Sequence, residues 1–304
     1  MRTPEHGLSA QATGLLLSSI GVIVLSLEGL LIRLIDVDAW TILAVRGIFS
    51  AIGLFVFFLF VEGATWRAQL GSIGLAFGAA TALFAIDNVA FIYSISHTSV
   101  ANTLLMISLT PIFATLLSRL VLREVVPTRT WVAIGGATIA TVVILFDSLG
   151  RGDLLGNLAG LIAAMSIGGT LVVVRGNPSL NLIPAMASGA GLAAFIALPA
   201  ASIGSADGSD WAFLVVLGLV VTPVAFGLIA LGPRFIPAAE VALLLMLGTV
   251  LGALWVWIAL DEIPTAATFV GGSILLAVLT SHSIAALRSL QPQPPGSRSR
   301  SEAI

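Results

Sequence analysis

The chain has 304 residues, of which 58% are hydrophobic and 9% charged, with a mean hydropathy of +1.10 and a formal net charge of -2. A soluble domain carries about a quarter charged residues, so this composition excludes an ordinary water-soluble fold and indicates a membrane protein. Cysteine and lysine are absent and His6, His97 and His282 are scattered, which excludes disulfides, a P-loop or Schiff-base lysine and a histidine metal centre.

A helix crossing the hydrocarbon core needs about 20 apolar residues. The sequence predicts ten such helices. The first five run near Thr13–Ile35, Trp40–Val61, Leu70–Ser96, Ser99–Leu122 and Thr130–Phe146. The second five run near Leu154–Val174, Leu182–Ile203, Trp211–Leu231, Pro237–Leu260 and Thr265–Leu287. Turn and charge signals mark the joints, among them Asp36-Val37-Asp38, Gly204–Gly208 and Pro233-Arg234. The first span lacks a cleavage motif and reads as a retained helix. Residues 1–12 form an N-terminal segment, and the Pro-, Ser- and Arg-rich residues 288–304 a disordered tail. No basic stripe lies outside that tail, which excludes nucleic acid as a partner.

Orientation follows from arginine. With the N-terminus inside, Arg2, Arg67, Arg119, Arg123, Arg129, Arg175, Arg234, Arg288, Arg298 and Arg300 are cytoplasmic. Only Arg33 and Arg151 fall outside, and Arg46 lies within a span. Both termini are therefore expected in the cytoplasm, on a multi-pass protein of the inner (plasma) membrane.

The two halves, residues 13–146 and 153–287, carry a weak internal repeat. Setting Glu124 on Glu262 places Leu122-Arg123-Glu124 on Leu260-Asp261-Glu262, and also aligns Ala101 with Ala239, Leu105 with Leu243 and Leu109 with Leu247. Five spans per half would leave the halves inverted with respect to each other, a plan shared by secondary transporters with a midplane site between the repeats.

The pattern His97-Thr98-Ser99-Val100-Ala101-Asn102, leading to Pro111 and then Leu122-Arg123-Glu124, has a second copy. That copy is Ile236-Pro237-Ala238-Ala239-Glu240, leading to Asp261-Glu262. With the ten spans, these motifs resemble the EamA-type family of the drug/metabolite transporter superfamily. The resemblance implies an all-α membrane protein of ten transmembrane helices, arranged as two inverted five-helix repeats around a central cavity. It further implies export or exchange of amino acids and other small metabolites. Thr249 stands where the first copy has Pro111, so a matching kink in the ninth helix is not expected.

Polar residues inside the spans mark the candidate site, because a charge at the bilayer centre costs about 2.5–3.5 kcal/mol on insertion scales. Counting along the helices puts Glu28, Arg46, Asp87 and Asn102 in the same, outer half of the bundle. One Arg needs one partner, so a structural ion pair of Arg46 with Asp87 or Glu28 leaves one acid over. Asp87 is read as the substrate- or proton-side group. Glu28 either lines the cavity or pairs with Arg33 on its own helix. Asn88 and Tyr93 are candidate hydrogen-bonding residues, with Tyr93 alternatively an interfacial anchor. Glu240 either stabilises a helix start through the dipole or acts as an inner coupling residue. His97 is expected in a solvent-facing turn, and Trp255 and Trp257 in an aromatic belt. Pro111 and Pro223 are candidate hinges. Three small-xxx-small pairs, Gly74/Gly78, Gly156/Gly160 and Gly248/Gly252, are expected at close helix contacts.

The expected function is secondary active transport of a small polar molecule by alternating access, with protons as a candidate second partner and no metal or cofactor. The expected assembly is a monomer or a homodimer. An uptake system or exchanger of the same fold is the nearest alternative. An intramembrane enzyme would need a paired nucleophile or metal motif, and a channel a continuous polar stripe; neither is visible.

Overall fold

The computed structural model describes residues 5–69, 74–123, 153–177, 179–232, 238–261 and 265–290, together with residues 128, 131–132, 135–136, 139–140, 142–143, 235 and 263. The regular secondary structure of these residues is helical, without a β-strand among them. The first span consists of α1 (Glu5–Ser26) and α2 (Glu28–Arg33), separated by a turn at Leu27. It is followed by α3 (Ala39–Glu62) and α4 (Leu75–His97). The fourth span is again divided, into α5 (Val100–Ile107) and α6 (Thr110–Val121). The second half brings α7 (Leu154–Gly176) and α8 (Leu182–Ala197). Its third span comprises α9 (Gly208–Val216), a π-helical segment Leu217–Val221, and α10 (Thr222–Leu231). The last helices are α11 (Ala238–Leu260) and α12 (Ala266–Leu290).

Among the described residues, 7 helices are long and apolar enough to cross a membrane, with hydropathies from 1.7 to 2.7. α11 and α12 have the length of a span, but their apolar stretches among the described residues are shorter, Leu251–Leu260 and Phe269–Val278. Of the expected fifth span, Thr130–Phe146, only residues 131–132, 135–136, 139–140 and 142–143 are among the described residues. The first helix begins at Glu5, eight residues before the expected start, and the last continues to Leu290, beyond the expected edge of the tail.

The breaks have local causes. Pro111 has no N–H to donate and follows the turn Ser108-Leu109, where helix bonds shorten to the 3₁₀ pattern, as in Leu109 N–H to the Met106 carbonyl at 3.1 Å. Pro223 follows the π-helical segment, where the ladder widens upstream of a residue that cannot join it. α11 has Thr249 at the corresponding position of the repeat and is one unbroken helix.

Several helix starts are capped by side chains. Asp38 accepts from the Trp40 and Thr41 N–H groups, both at 3.0 Å, and from the Thr41 hydroxyl at 2.5 Å. Partial burial raises the Asp38 pKa, but the Thr41 hydroxyl and the N–H groups around it outweigh burial and hold the carboxyl below its usual 3.8. Asp207 and Asp210 form a capping box at α9, and Asp210 also accepts from the Asp36 N–H at 2.9 Å.

Packing between the halves is extensive. α4 lies along α7, and α1 along α10. α3 lies along α8, with a further contact from α3 to the π segment and α10, and from α8 to α4. α7 packs on α5 and α6, α11 on α1 and α2, and α11 on α5. The α3–α8 pair is bonded at both ends. At one end the Ser202 N–H donates to the Thr41 hydroxyl at 2.7 Å; at the other the Asn181 amide donates to the Glu62 carboxylate at 3.0 Å. Between them, Gly47 lets α3 close on α8, since a Cβ there would lie 2.9 Å from both the Ala190 carbonyl oxygen and the Ala194 Cβ. Gly156/Gly160 and Gly248/Gly252 likewise sit at tight contacts, whereas Gly74 and Gly78 meet nothing within 4 Å of a Cβ among the described residues.

Candidate functional site

Three helices bring Glu28, Arg46, Asp87 and Asn88 together. Their relative exposures are 4%, 2%, 7% and 4%, in a core otherwise built of Ile, Leu, Val, Ala and Phe. Arg46 sits two turns into α3, on the buried face that also carries Leu43, Gly47, Ser50 and Leu54. Its Nη2 pairs with Glu28 Oε1, and its Nη1 donates to Asn88 Oδ1 at 3.0 Å. Asn88 is held in turn by α4 itself, because its amide donates to the Phe84 carbonyl at 2.8 Å. That bond fixes which end of the amide faces Arg46.

Glu28 occupies the first position of α2, directly after the interruption at Leu27. The interruption has side-chain support: Ser26 Oγ donates to the Ile23 carbonyl at 2.7 Å and accepts from Trp255 Nε1 at 3.0 Å. Trp255 therefore buttresses the broken helix from α11, correcting its expected place in an aromatic belt. Trp257, 41% exposed and edge-on to Phe269, keeps a peripheral position.

Asp87 is arranged differently. Its carboxylate interacts with Arg46 through charge and makes no hydrogen bond among the described residues. The ion pair belongs to Glu28, the amide bond to Asn88, and Asp87 is left as the surplus carboxyl group beside them.

The other candidate residues divide. Asn102 is buried, but in a separate polar cluster, where its amide reaches Thr98 Oγ1 at 3.4 Å and Thr98 in turn donates to Asn157 Oδ1 at 3.1 Å. Arg33 Nη2 donates to the Thr98 carbonyl at 2.6 Å in the same cluster. This group ties the α4–α5 turn to α7. Tyr93 stacks on His97 with ring centroids 4.0 Å apart and borders a shallow apolar groove with Trp40, Leu43 and Val89. It has the surroundings of an interfacial anchor, and His97 is exposed at the helix end. Glu240 is the third residue of α11, and its side chain lies outside the described residues. Pro111 and Pro223 both adjoin helix irregularities.

Ser50 and Thr222 were not legible as site residues. Both are buried, at 0% and 1%, and their hydroxyls have no hydrogen-bond partner among the described residues. Arg46 Nε shares that condition. Single Ser and Thr residues in apolar helices bond their own backbone so often that sequence offers no signal to separate these two.

A multi-pass helical bundle with a buried, charged cluster between discontinuous helices is the architecture of a membrane transporter. Residues 12–146 match the EamA-like transporter family, a family of membrane transporters in the drug/metabolite transporter superfamily. No curated protein matches the chain. A solved crystal structure superposes with a TM-score of 0.67 at 17% sequence identity, covering 93% of this chain and 100% of the other, which extends the fold likeness across both halves.

Proposed function

We propose that the protein is a secondary active transporter that exports amino acids or related small polar metabolites by alternating access. The observation that carries this reading is Asp87: a buried carboxylate beside an arginine whose ion pair is already formed with Glu28. A structural ion pair explains Glu28 and Arg46 and leaves Asp87 to bind a substrate ammonium or a proton.

The reading includes ten spans in two inverted repeats, an inner-membrane location and both termini in the cytoplasm. Two observations support the repeat. Numbering the spans one to ten, exchange of each span with the one five places away converts the third–sixth contact into the eighth–first. It converts the second–eighth into the seventh–third and the fourth–sixth into the ninth–first, and it leaves second–seventh and fourth–ninth unchanged. Second, the described non-glycine residues with positive φ are Arg123 at 56° and Asp261 at 53°. The sequence repeat had aligned these two residues.

The test is counterflow in proteoliposomes against a panel of amino acids, amines and organic acids, with and without a pH gradient. Accumulation of a panel member that is abolished by Asp87→Asn is the expected result. Full transport with unchanged pH dependence in Asp87→Asn would reduce Asp87 to architecture.

A further inference from the structure

Three buried polar atoms near the charged cluster share one condition: Arg46 Nε, Ser50 Oγ and Thr222 Oγ1 have no hydrogen-bond partner among the described residues. Packing shows how they converge. Ser50 follows Arg46 by one turn of α3. A Cβ on Gly218 would lie 2.9 Å from the Arg46 carbonyl oxygen and 3.3 Å from the Ser50 nitrogen. Further along, Gly53 meets Pro223 and Gly227 meets Phe57, so α3 and the π segment with α10 run parallel in that register. Thr222 then lies one turn beyond Gly218, beside the stretch of α3 that starts at Ser50.

The first span completes the enclosure. Gly21 meets Ala225, Leu228 and Ile229, while α2 packs on Leu217–Val221, so this span runs antiparallel to the eighth. That register brings Glu28 and the break at Leu27 to the level of Thr222, within about one helical turn (~5 Å). The three unpartnered atoms thus flank the Glu28–Arg46 pair where the first span is broken and the eighth is π-helical.

Their chemistry restricts what they can hold. Arg46 Nε only donates, whereas the two hydroxyls donate or accept. Buried polar atoms normally have partners, so three orphans at one level fit a group that arrives with a ligand. Charge restricts it further. Glu28 and Arg46 offset each other, and Asp87 is the carboxylate left outside that ion pair, so a cation is favoured over an anion at the cluster.

We propose that Arg46 Nε, Ser50 Oγ and Thr222 Oγ1 form a subsite for the carbonyl or carboxylate end of a small amine substrate whose ammonium faces Asp87. The subsite rests on the transporter reading above and adds Ser50 and Thr222 as specificity residues. An amine with a neutral carbonyl balances Asp87 by itself; an amino acid, neutral overall, balances it together with a proton.

The test compares pairs of monocations in which one member carries a carboxamide on the carbon bearing the ammonium and the other a hydrogen: alaninamide and ethylamine, leucinamide and isoamylamine, phenylalaninamide and phenethylamine. Dissociation constants are measured by calorimetry on the purified full chain, and uptake of the same compounds by counterflow. The expected result is an amide preference of about tenfold or more in at least one pair, two neutral hydrogen bonds being at stake. Ser50→Ala and Thr222→Val each reduce that preference about three- to tenfold and leave the plain amine within about twofold. Thr222→Ser, which keeps the hydroxyl, retains it. Equal binding within every pair, or a preference that survives both hydroxyl removals, overturns the subsite and leaves the transporter reading intact. So does transport of other metabolites with no binding of any amine. Absence of transport for every compound overturns the transporter reading and the subsite with it.

Discussion

Separating Glu28 from Arg46 is the most direct test of how the cluster is built. The pair is enclosed, with Arg46 2% exposed, so neither charge can turn to water when the other is removed. Removing one partner of such a pair costs about 3–5 kcal/mol, because the other charge is left uncompensated. At about 2–4 °C per kcal/mol for a chain of this size range, the melting temperature falls by on the order of 10 °C. The two single variants are not equivalent. Glu28→Gln leaves Arg46 with Asp87 as its remaining counter-charge, whereas Arg46→Gln leaves two buried acids without a cation. Arg46→Gln is therefore the more damaging change, and the double variant recovers much of its loss. Unfolding by sodium dodecyl sulfate in mixed micelles gives all four stabilities. A double-mutant cycle is expected to return a coupling of about 2 kcal/mol or more, against about 0.2–1 kcal/mol for exposed pairs. A coupling below about 0.5 kcal/mol would refute the enclosed-pair reasoning.

Other changes probe different parts of the bundle. Arg123→Gly and Asp261→Gly each remove a side chain from left-handed backbone, which costs roughly 1–2 kcal/mol per residue, so each variant should melt a few degrees higher than the parent. Gly218→Ala places a methyl 2.4 Å from the Phe49 Cβ, and is expected to lower stability by about 1–3 kcal/mol through overpacking. Trp255→Phe removes the donor to Ser26 Oγ and should cost about 1 kcal/mol, read by the same unfolding assay. Asp38 has a folded pKa below its unfolded value near 3.8, so its contribution is complete above that pH and is lost as pH falls through the lower folded value. Asp38→Ala should accordingly melt lower than the parent at pH 7, with the gap closing on acidification toward pH 3.

The charged cluster was legible because charge is rare here: in a chain with 9% charged residues, three ionisable groups at one depth stand out. Depth follows from counting residues along a helix. Partner choice does not, since it depends on how each helix is rotated about its axis. The sequence therefore placed Glu28, Arg46 and Asp87 together but left open which acid holds the arginine; rotation of α4 turns Asn88 to Arg46 Nη1. Trp255 departs from its expected place for a related reason. Its position near a helix end suggests the interface, while the notch at Leu27 that receives its indole N–H exists only after the first span breaks. Pro111 announced its kink through covalent chemistry alone. Pro223 marked an irregularity in the same way, but its form, a π segment upstream of the proline, does not follow from the proline alone.

The bonds at the two ends of the α3–α8 pair have a mechanical consequence. A couple clipped to Ser202 at one extremity and to Glu62 at the other behaves as a strut, resisting both splaying and sliding. Under the proposed alternating access, the movement would fall to the helices around it, which are interrupted at Leu27, at Ser108-Leu109 and at Leu217–Val221. Spin labels on either side of the strut should keep their spacing through a transport cycle, while labels across those interruptions change theirs.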